Sequence, residues 1–169
     1  MTTTKISENE SLVAHLLRRA GFGGTDKEFR YFLSIDYETA VDHLLDAMDS
    51  TSLPQDLIRR YHIDQSDLRT PPSAGSNWIY QMVSTDAPLI EKVALFWHRV
   101  FATSQTKLIQ AKVMASQIDM FRGYGLGNFR DLLIQLSRNP AMILYLDNQD
   151  NHKDSINENY GRELLELFS

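Results

Sequence analysis

The sequence predicts an all-α fold, an irregular bundle of about eight helices. Apolar residues recur at three- and four-residue spacing along most of the chain, as they do on the buried face of an amphipathic helix. Residues that favour helix N-termini precede these stretches, and no segment alternates apolar and polar side chains as a half-buried strand does. With 169 residues, of which 43% are apolar, the chain can bury the core of a domain.

We expect a single helical domain over residues 1–169, divided into N-terminal helices (1–48), a loop-rich connection (49–76) and a main helical block (77–169). The connection holds residues that interrupt helices, namely Pro54, Pro71, Pro72 and Gly75. A connection of this length is unusual inside a compact domain unless it is functional or mobile.

Capping patterns predict where the N-terminal helices begin. Ser7 and Glu10 have the spacing of a capping box, in which two side chains bind free backbone N–H groups at a helix start. Thr25 and Glu28 repeat this pattern, and Asp36 precedes a third apolar stretch. We therefore expect one helix to follow each of these three cap residues.

The main block is predicted to begin with a short helix over residues 78–83. Further helices are expected after side chains that can accept a hydrogen bond from the first turn: Thr85 or Asp86, Ser104, Asn128, Asn139 and Asn157. Pro140 strengthens the prediction at Asn139, because proline is favoured in the first turn of a helix.

The predicted core consists of apolar side chains at helical spacing, each worth roughly 1.5–3 kcal/mol when buried. They are Leu16, Phe29, Leu44, Trp78, Phe96, Trp97, Phe101, Ile118, Phe121, Leu132, Leu136, Met142 and Leu165.

Charge and residue content exclude several classes of protein. The chain has 17 Lys and Arg against 22 Asp and Glu, a formal net charge of −5, which argues against nucleic acid as a partner. It has no cysteine, which excludes disulfides, thiolate metal sites and cysteine nucleophiles. No apolar run is long enough to cross a membrane. The polar N-terminus lacks the apolar region of an export signal, so the chain as written is expected to be cytoplasmic.

His98 is the first candidate for a chemical role, as a metal ligand or a base. It lies in a predicted helix crowded with aromatic residues, and either role needs a partner that orients the imidazole ring. The alternative is a structural histidine at the edge of the buried face, hydrogen-bonded to a backbone carbonyl.

The polar stretch over residues 147–158 has part of the spacing of a calcium-binding loop. Counted from Asp147, oxygen-bearing side chains fall at position five, Asn151, and position twelve, Glu158, where such a loop places ligands. Position six, which requires glycine, is His152. The alternative is a solvated connection rich in cap residues. No cofactor other than a divalent cation such as calcium is indicated.

The last predicted helix carries the densest set of charged side chains. Glu158, Arg162 and Glu163 could supply a general acid and a carboxylate partner, and they are the candidate catalytic residues. We expect Arg162 to form a partly buried fork between Glu158 and Glu166, one turn away on either side. The alternative is an exposed ladder of ion pairs, worth about 0.3–0.5 kcal/mol per pair.

The sequence stops on an apolar stripe formed by Leu164, Leu165, Leu167 and Phe168. No residue that favours a helix C-terminus follows this stripe. We therefore expect the chain to be a fragment, an incomplete domain from a longer protein.

Six ordered sequence blocks resemble the N-terminal part of a large bacterial family, the domain of unknown function 1800 (DUF1800). The blocks are HLLRRAGFG (15–23), FWHRVFATS (96–104), GNFRDLL (127–133), NPAM (139–142), YLDN (145–148) and NENYGRELLELF (157–168). The resemblance implies a mostly helical protein longer than this chain, in many cases exported to the bacterial envelope and encoded beside a sulfatase-like partner protein. It implies no catalytic residues, because the family has no established activity.

The chain departs from the family pattern near His98. Typical members carry a second histidine two positions further on, where this sequence has Val100, so a His-x-His ligand pair is excluded. Two functions remain open: a structural or interaction role with an envelope partner protein, or a hydrolase acting on a polymeric substrate at the carboxylate and arginine side chains of the last helix.

Overall fold

The computed structural model describes residues 7–46, 60, 70–104, 107–108, 110–166 and 168. Within these ranges nine α-helices follow one another: α1 (Glu8–Ala20), α2 (Asp26–Ser34), α3 (Tyr37–Asp46), α4 (Pro71–Ser84), α5 (Pro88–Val100), α6 (Ala111–Tyr124), α7 (Phe129–Arg138), α8 (Pro140–Tyr145) and α9 (Asn159–Glu166). The one β-type pairing in the same ranges is an isolated bridge between His152 and Ser155. The predicted all-α fold is confirmed.

The capping boxes begin α1 and α2 at the predicted residues. Ser7 Oγ accepts a hydrogen bond from Glu10 N (3.2 Å), and Glu10 Oε2 accepts one from Ser7 N (2.7 Å). Thr25 and Glu28 make the same pair of bonds at the start of α2. Local sequence alone determines these helix starts, because each donor and acceptor lies within three residues of its partner.

The chain divides into two compact units. The first comprises Met1–Leu53 and Gln81–Lys92, and the second comprises Pro54–Tyr80 and Val93–Ser169. The division therefore falls within α4 and α5. The expected organisation as a single domain over 1–169 stays a prediction.

Each unit has its own core. In the first unit, apolar faces of α1, α2 and α3 meet through Val13, Leu17, Ala20, Phe32, Ala40 and Leu44. In the second unit, the core consists of Ala94, Phe101, Phe121, Leu132, Leu136, Met142 and Leu146. No helix in the described part of the chain is both long and apolar enough to span a membrane.

Helix α4 is longer than the predicted segment 78–83. It begins at Pro71, so residues 71–76 are helical although the sequence placed them in the loop-rich connection. Pro71 and Pro72 occupy the first turn, where a helix tolerates proline because the N–H groups there have no intrahelical acceptor. Residues 49–59 and 61–69 of that connection lie outside the described residues.

The predicted helix start at Ser104 is wrong, because α6 begins at Ala111. Of the described residues before it, Ser104, Leu108 and Gln110 lie outside a helix. Thr103 Oγ1 donates to Gln117 Oε1 (2.5 Å), and Lys107 Nζ donates to the carbonyl oxygen of Tyr145 (3.1 Å). These tertiary contacts override the local capping signal of the serine.

Two of the predicted core residues are on the surface. Phe96 is 55% exposed and Leu165 is 75% exposed, so their assignment to the core is wrong. Seven predicted core residues are buried, namely Leu44, Phe101, Ile118, Phe121, Leu132, Leu136 and Met142. The remaining four, Leu16, Phe29, Trp78 and Trp97, are partly buried.

Candidate functional site

The connection between α8 and α9 is held by asparagine side chains. It opens at Asp147, whose φ of 57° and ψ of 28° lie in the left-handed region, and continues as a single 3-10 turn, Asn148–Asp150. The Asn151 side-chain amide nitrogen donates to Asn148 Oδ1 and to the carbonyl oxygen of Asn157 (3.1 Å). A polar sequence therefore forms a defined turn here.

Asn157 anchors this connection to both neighbouring helices. Its Nδ2 donates to the carbonyl oxygens of Leu146 (3.2 Å) and Asp147 (3.0 Å), at the end of α8. Its Oδ1 accepts from Asn159 N (2.9 Å) and so caps α9, as predicted. Its backbone N–H donates to Asn151 Oδ1 (2.7 Å). Both polar atoms of the Asn157 side chain are therefore used in bonds that hold the connection in place.

The predicted calcium ligands bind other groups of the protein or are exposed to solvent. The Asp147 carboxylate pairs with Lys107 Nζ at 3.2 Å, Asn151 Oδ1 accepts the bond from Asn157 N, and Glu158 is exposed. In the ranges that the structure describes, no three His, Cys, Asp or Glu side chains are grouped so that they could hold a metal ion. The calcium hypothesis stays a prediction without supporting geometry.

Helix α9 packs on the second unit through its apolar side. Tyr160, Leu164 and Phe168 contact the core, and the Phe168 ring meets the Phe101 ring edge to face at 5.5 Å between centroids. These residues recur every four positions along the chain, and the charged residues lie between them. Of the apolar stripe at the end of the sequence, Leu165 is 75% exposed, whereas Leu164 and Phe168 are partly buried.

The arginine fork predicted in α9 does not form. Arg162 is exposed, and its Nη2 donates to Asn159 Oδ1 at 3.3 Å. Neither Glu158 nor Glu166 forms an ion pair with it among the described residues. Glu158 is exposed and Glu163 is partly buried. The expectation of a partly buried fork was wrong because the apolar side of α9 faces the core, which leaves Glu158, Arg162 and Glu166 exposed to solvent.

His98 is partly buried in α5 and packs against Trp78 of α4. The two rings meet edge to face with centroids 5.4 Å apart. Nδ1 is buried and has no hydrogen-bond partner among the described residues, so the expected bond to a backbone carbonyl is absent. Burial lowers the pKa of this imidazole below its ordinary value. The ring is therefore neutral near pH 7.

Three neighbouring aromatic residues, Phe96, Trp97 and Phe129, form what we call the aromatic surface. The ring centroid of the partly buried Trp97 lies 4.9 Å from that of Phe96 and 5.7 Å from that of Phe129. Phe96 is 55% exposed and Phe129 is 54% exposed. Sequence reasoning assigned Phe96 to the core and gave Phe129 no role.

A signal for this surface was present in the sequence. Neighbouring residues of an α-helix point about 100° apart, so the adjacent rings of Phe96 and Trp97 face different directions, and one of them lies nearer the edge of any buried face. Phe129 directly follows the cap residue Asn128, at the first position of α7, where side chains are often exposed. The helical spacing alone could not show which of these aromatic rings is exposed to solvent.

The central ring of the aromatic surface is held rigidly. Trp97 Nε1 donates to the carbonyl oxygen of Gly125 at 2.7 Å, and its ring stacks on buried Phe101 with centroids 5.4 Å apart. Gly125 fits closely against it, because a Cβ atom there would lie 2.8 Å from Trp97 Cδ1. The surface is thus an extension of the core that reaches solvent.

Comparisons with known proteins give one result. A family model described as a protein of unknown function, DUF1800, matches residues 15–169. None of the curated proteins and none of the solved structures compared with the chain matches it.

Proposed function

Since the chain belongs to the DUF1800 family, whose function is unknown, we propose its role from its surface. The role is structural: the protein binds another protein of the bacterial envelope through the aromatic surface. The observation that carries this proposal is the exposure of Phe96 and Phe129, whose rings both contact Trp97.

Aromatic rings in this arrangement suit protein recognition. A contiguous exposed apolar patch is costly for an isolated protein and usually marks an interaction site. Interface cores are enriched in aromatic residues, and rigid anchors lose little conformational entropy on binding. Trp97 is such an anchor, because its indole nitrogen and its ring face are both already fixed.

The partner in this proposal is the sulfatase-like protein that the family resemblance implies as a gene neighbour. Both proteins would then belong to the bacterial envelope. The acidic chain, with its net charge of −5, gives no reason to prefer nucleic acid as the ligand of the aromatic surface.

The alternative, a hydrolase with Glu158, Arg162 and Glu163 as its site, has less support. A catalytic acid and its partner need a concave, partly desolvated setting. Glu158 and Arg162 are instead exposed, and the one described side-chain bond of Arg162 goes to Asn159. We therefore favour the interaction role.

Co-purification tests the proposal. The protein is co-expressed with the proposed partner, a sulfatase-like protein, and a tag on that partner is used for capture. We expect wild-type protein to be retained, and Phe96→Ser with Phe129→Ser to be retained at least about tenfold less, since losing two anchors exceeds 1.4 kcal/mol of binding free energy.

Ile156→Ser is the matched control, because Ile156 is 80% exposed but lies in the connection before α9. It should be retained like the wild type. Equal retention of all three proteins, or no retention of the wild type, would contradict the proposal.

A further inference from the structure

A cavity of about 350 Å³ lies in the first unit, between the C-terminal half of α1 and the start of α2. Ala14, Leu17 and Phe29 supply its apolar wall, and its polar lining comes from Arg18, Thr25 and Asp26. Gly23 and Gly24 complete it. This volume is at the lower end of the range of small-molecule sites.

The glycines of the α1–α2 turn shape this cavity. Gly23 has a φ of 106°, which side chains other than glycine rarely adopt. A Cβ atom on Gly24 would lie 2.9 Å from Leu17 Cδ1, so a larger residue there would require the Leu17 side chain to shift. The block HLLRRAGFG thus contributes to a concave surface that is separate from the aromatic surface.

Charge in the cavity is concentrated on one group. Arg18 is exposed and has no ion-pair partner among the described residues. Asp26, the acidic residue of the lining, is already paired with Arg30 at 2.9 Å. The guanidinium of Arg18 therefore offers its planar set of donors to a ligand.

The start of α2 supplies no further anion site. Glu28 Oε2 accepts hydrogen bonds from both Thr25 N and Thr25 Oγ1, each at 2.7 Å. These bonds hold the pKa of Glu28 below its ordinary value, so a negative charge already occupies the helix N-terminus. This charge disfavours a ligand with two negative groups more strongly than a ligand with one carboxylate, which Arg18 can bind.

We infer that this cavity binds a small monocarboxylic acid with a branched or aromatic apolar body. The carboxylate binds the guanidinium of Arg18, and the apolar body packs against Ala14, Leu17 and Phe29. The inference is independent of the proposed function, because all of these residues belong to the first unit.

A titration with 4-methylpentanoate, followed by NMR of the ¹⁵N-labelled protein, tests this inference. We expect saturable shifts of the amides of Gly23 and Gly24. Arg18→Gln should weaken binding at least about tenfold, as expected for losing a charge-assisted pair. Arg19→Gln is the matched control, since Arg19 is an exposed neighbour that does not line the cavity, and it should bind like the wild type.

Two further ligands test whether the carboxylate charge is required for binding and whether the carboxylate belongs to the C-terminus of a peptide. The methyl ester of the acid should bind at least about tenfold more weakly. A peptide that ends in leucine and displaces 4-methylpentanoate would support the carboxylate site and assign it to a chain terminus. The absence of saturable shifts, equal affinity of acid and ester, or equal loss in both arginine variants would overturn the inference.

Discussion

Burial of the His98 ring should make the free energy of unfolding depend on pH. Burial lowers the pKa of its imidazole from the ordinary value of 6.5, and α4, which supplies its ring partner Trp78, has no acidic or basic side chain to compensate. The folded protein therefore binds this proton less tightly than the unfolded chain. The free energy of unfolding should therefore fall as the pH drops below the pKa that this imidazole has in the unfolded chain.

Urea unfolding at several pH values between about 5 and 7.5 measures this effect. His98→Gln should lose less stability on acidification than the wild type, because the buried titrating group is gone. His15→Gln, which changes an exposed histidine, should follow the wild-type curve. Parallel curves for wild type and His98→Gln would show that burial of this ring does not govern the acid response.

Arg162 is predicted to matter little for folding. Its side chain is exposed and forms one described bond, to Asn159, so Arg162→Ala should cost under about 1 kcal/mol. Arg138→Ala, at another exposed arginine, should shift the thermal midpoint by a similar amount. A loss of several kcal/mol for Arg162→Ala alone would instead indicate a buried charge network.

At the scale of elements, Asn157 joins α8 to α9. Asn157→Ala removes the cap of α9 and two bonds to carbonyl groups at the end of α8, so it should cost about 2–3 kcal/mol. Asn128→Ala is the control, because Asn128 makes only the cap bond of α7 among the described contacts, and about 1 kcal/mol is expected. Chemical denaturation compares the two, and equal costs would refute the joining role.

Two glycines near the end of α6 should respond to alanine with opposite signs. Gly123 lies within α6 and has no atom near the site of an added Cβ, so Gly123→Ala should stabilise by about 0.5–1 kcal/mol. A methyl group on Gly125 would meet Trp97 and the carbonyl oxygen of Phe121, and Gly125→Ala should cost about 1–3 kcal/mol. Thermal unfolding would contradict this packing if both variants shifted the midpoint in one direction.

For the whole molecule, the local sequence was sufficient to predict a helix start where the capping side chain and the backbone group it binds are close in the chain. The helix starts after Ser7, Thr25, Asn128 and Asn139 could be predicted for this reason. Ser104 carried the same type of signal and failed, because bonds of Thr103 and Lys107 to distant residues determine that segment. Tertiary contacts of this kind cannot be read from residue spacing.

The candidate site was less predictable than the fold. Sequence reasoning selected charged residues of α9, which the packing of Tyr160, Leu164 and Phe168 leaves on the solvated side. It assigned Phe96 to the core because apolar spacing does not reveal how many faces of α5 the rest of the protein covers. The aromatic surface follows only from the arrangement of helices around Trp97.

Photo-crosslinking at the aromatic surface tests the central claim most directly. Phe129→benzoylphenylalanine places a reactive ring beside Trp97, and Ile156→benzoylphenylalanine places one at a more exposed site elsewhere. With the proposed sulfatase-like partner present, we expect a covalent product from position 129 and little from position 156. A product from position 156 alone, or none from either position although the two proteins bind, would contradict it.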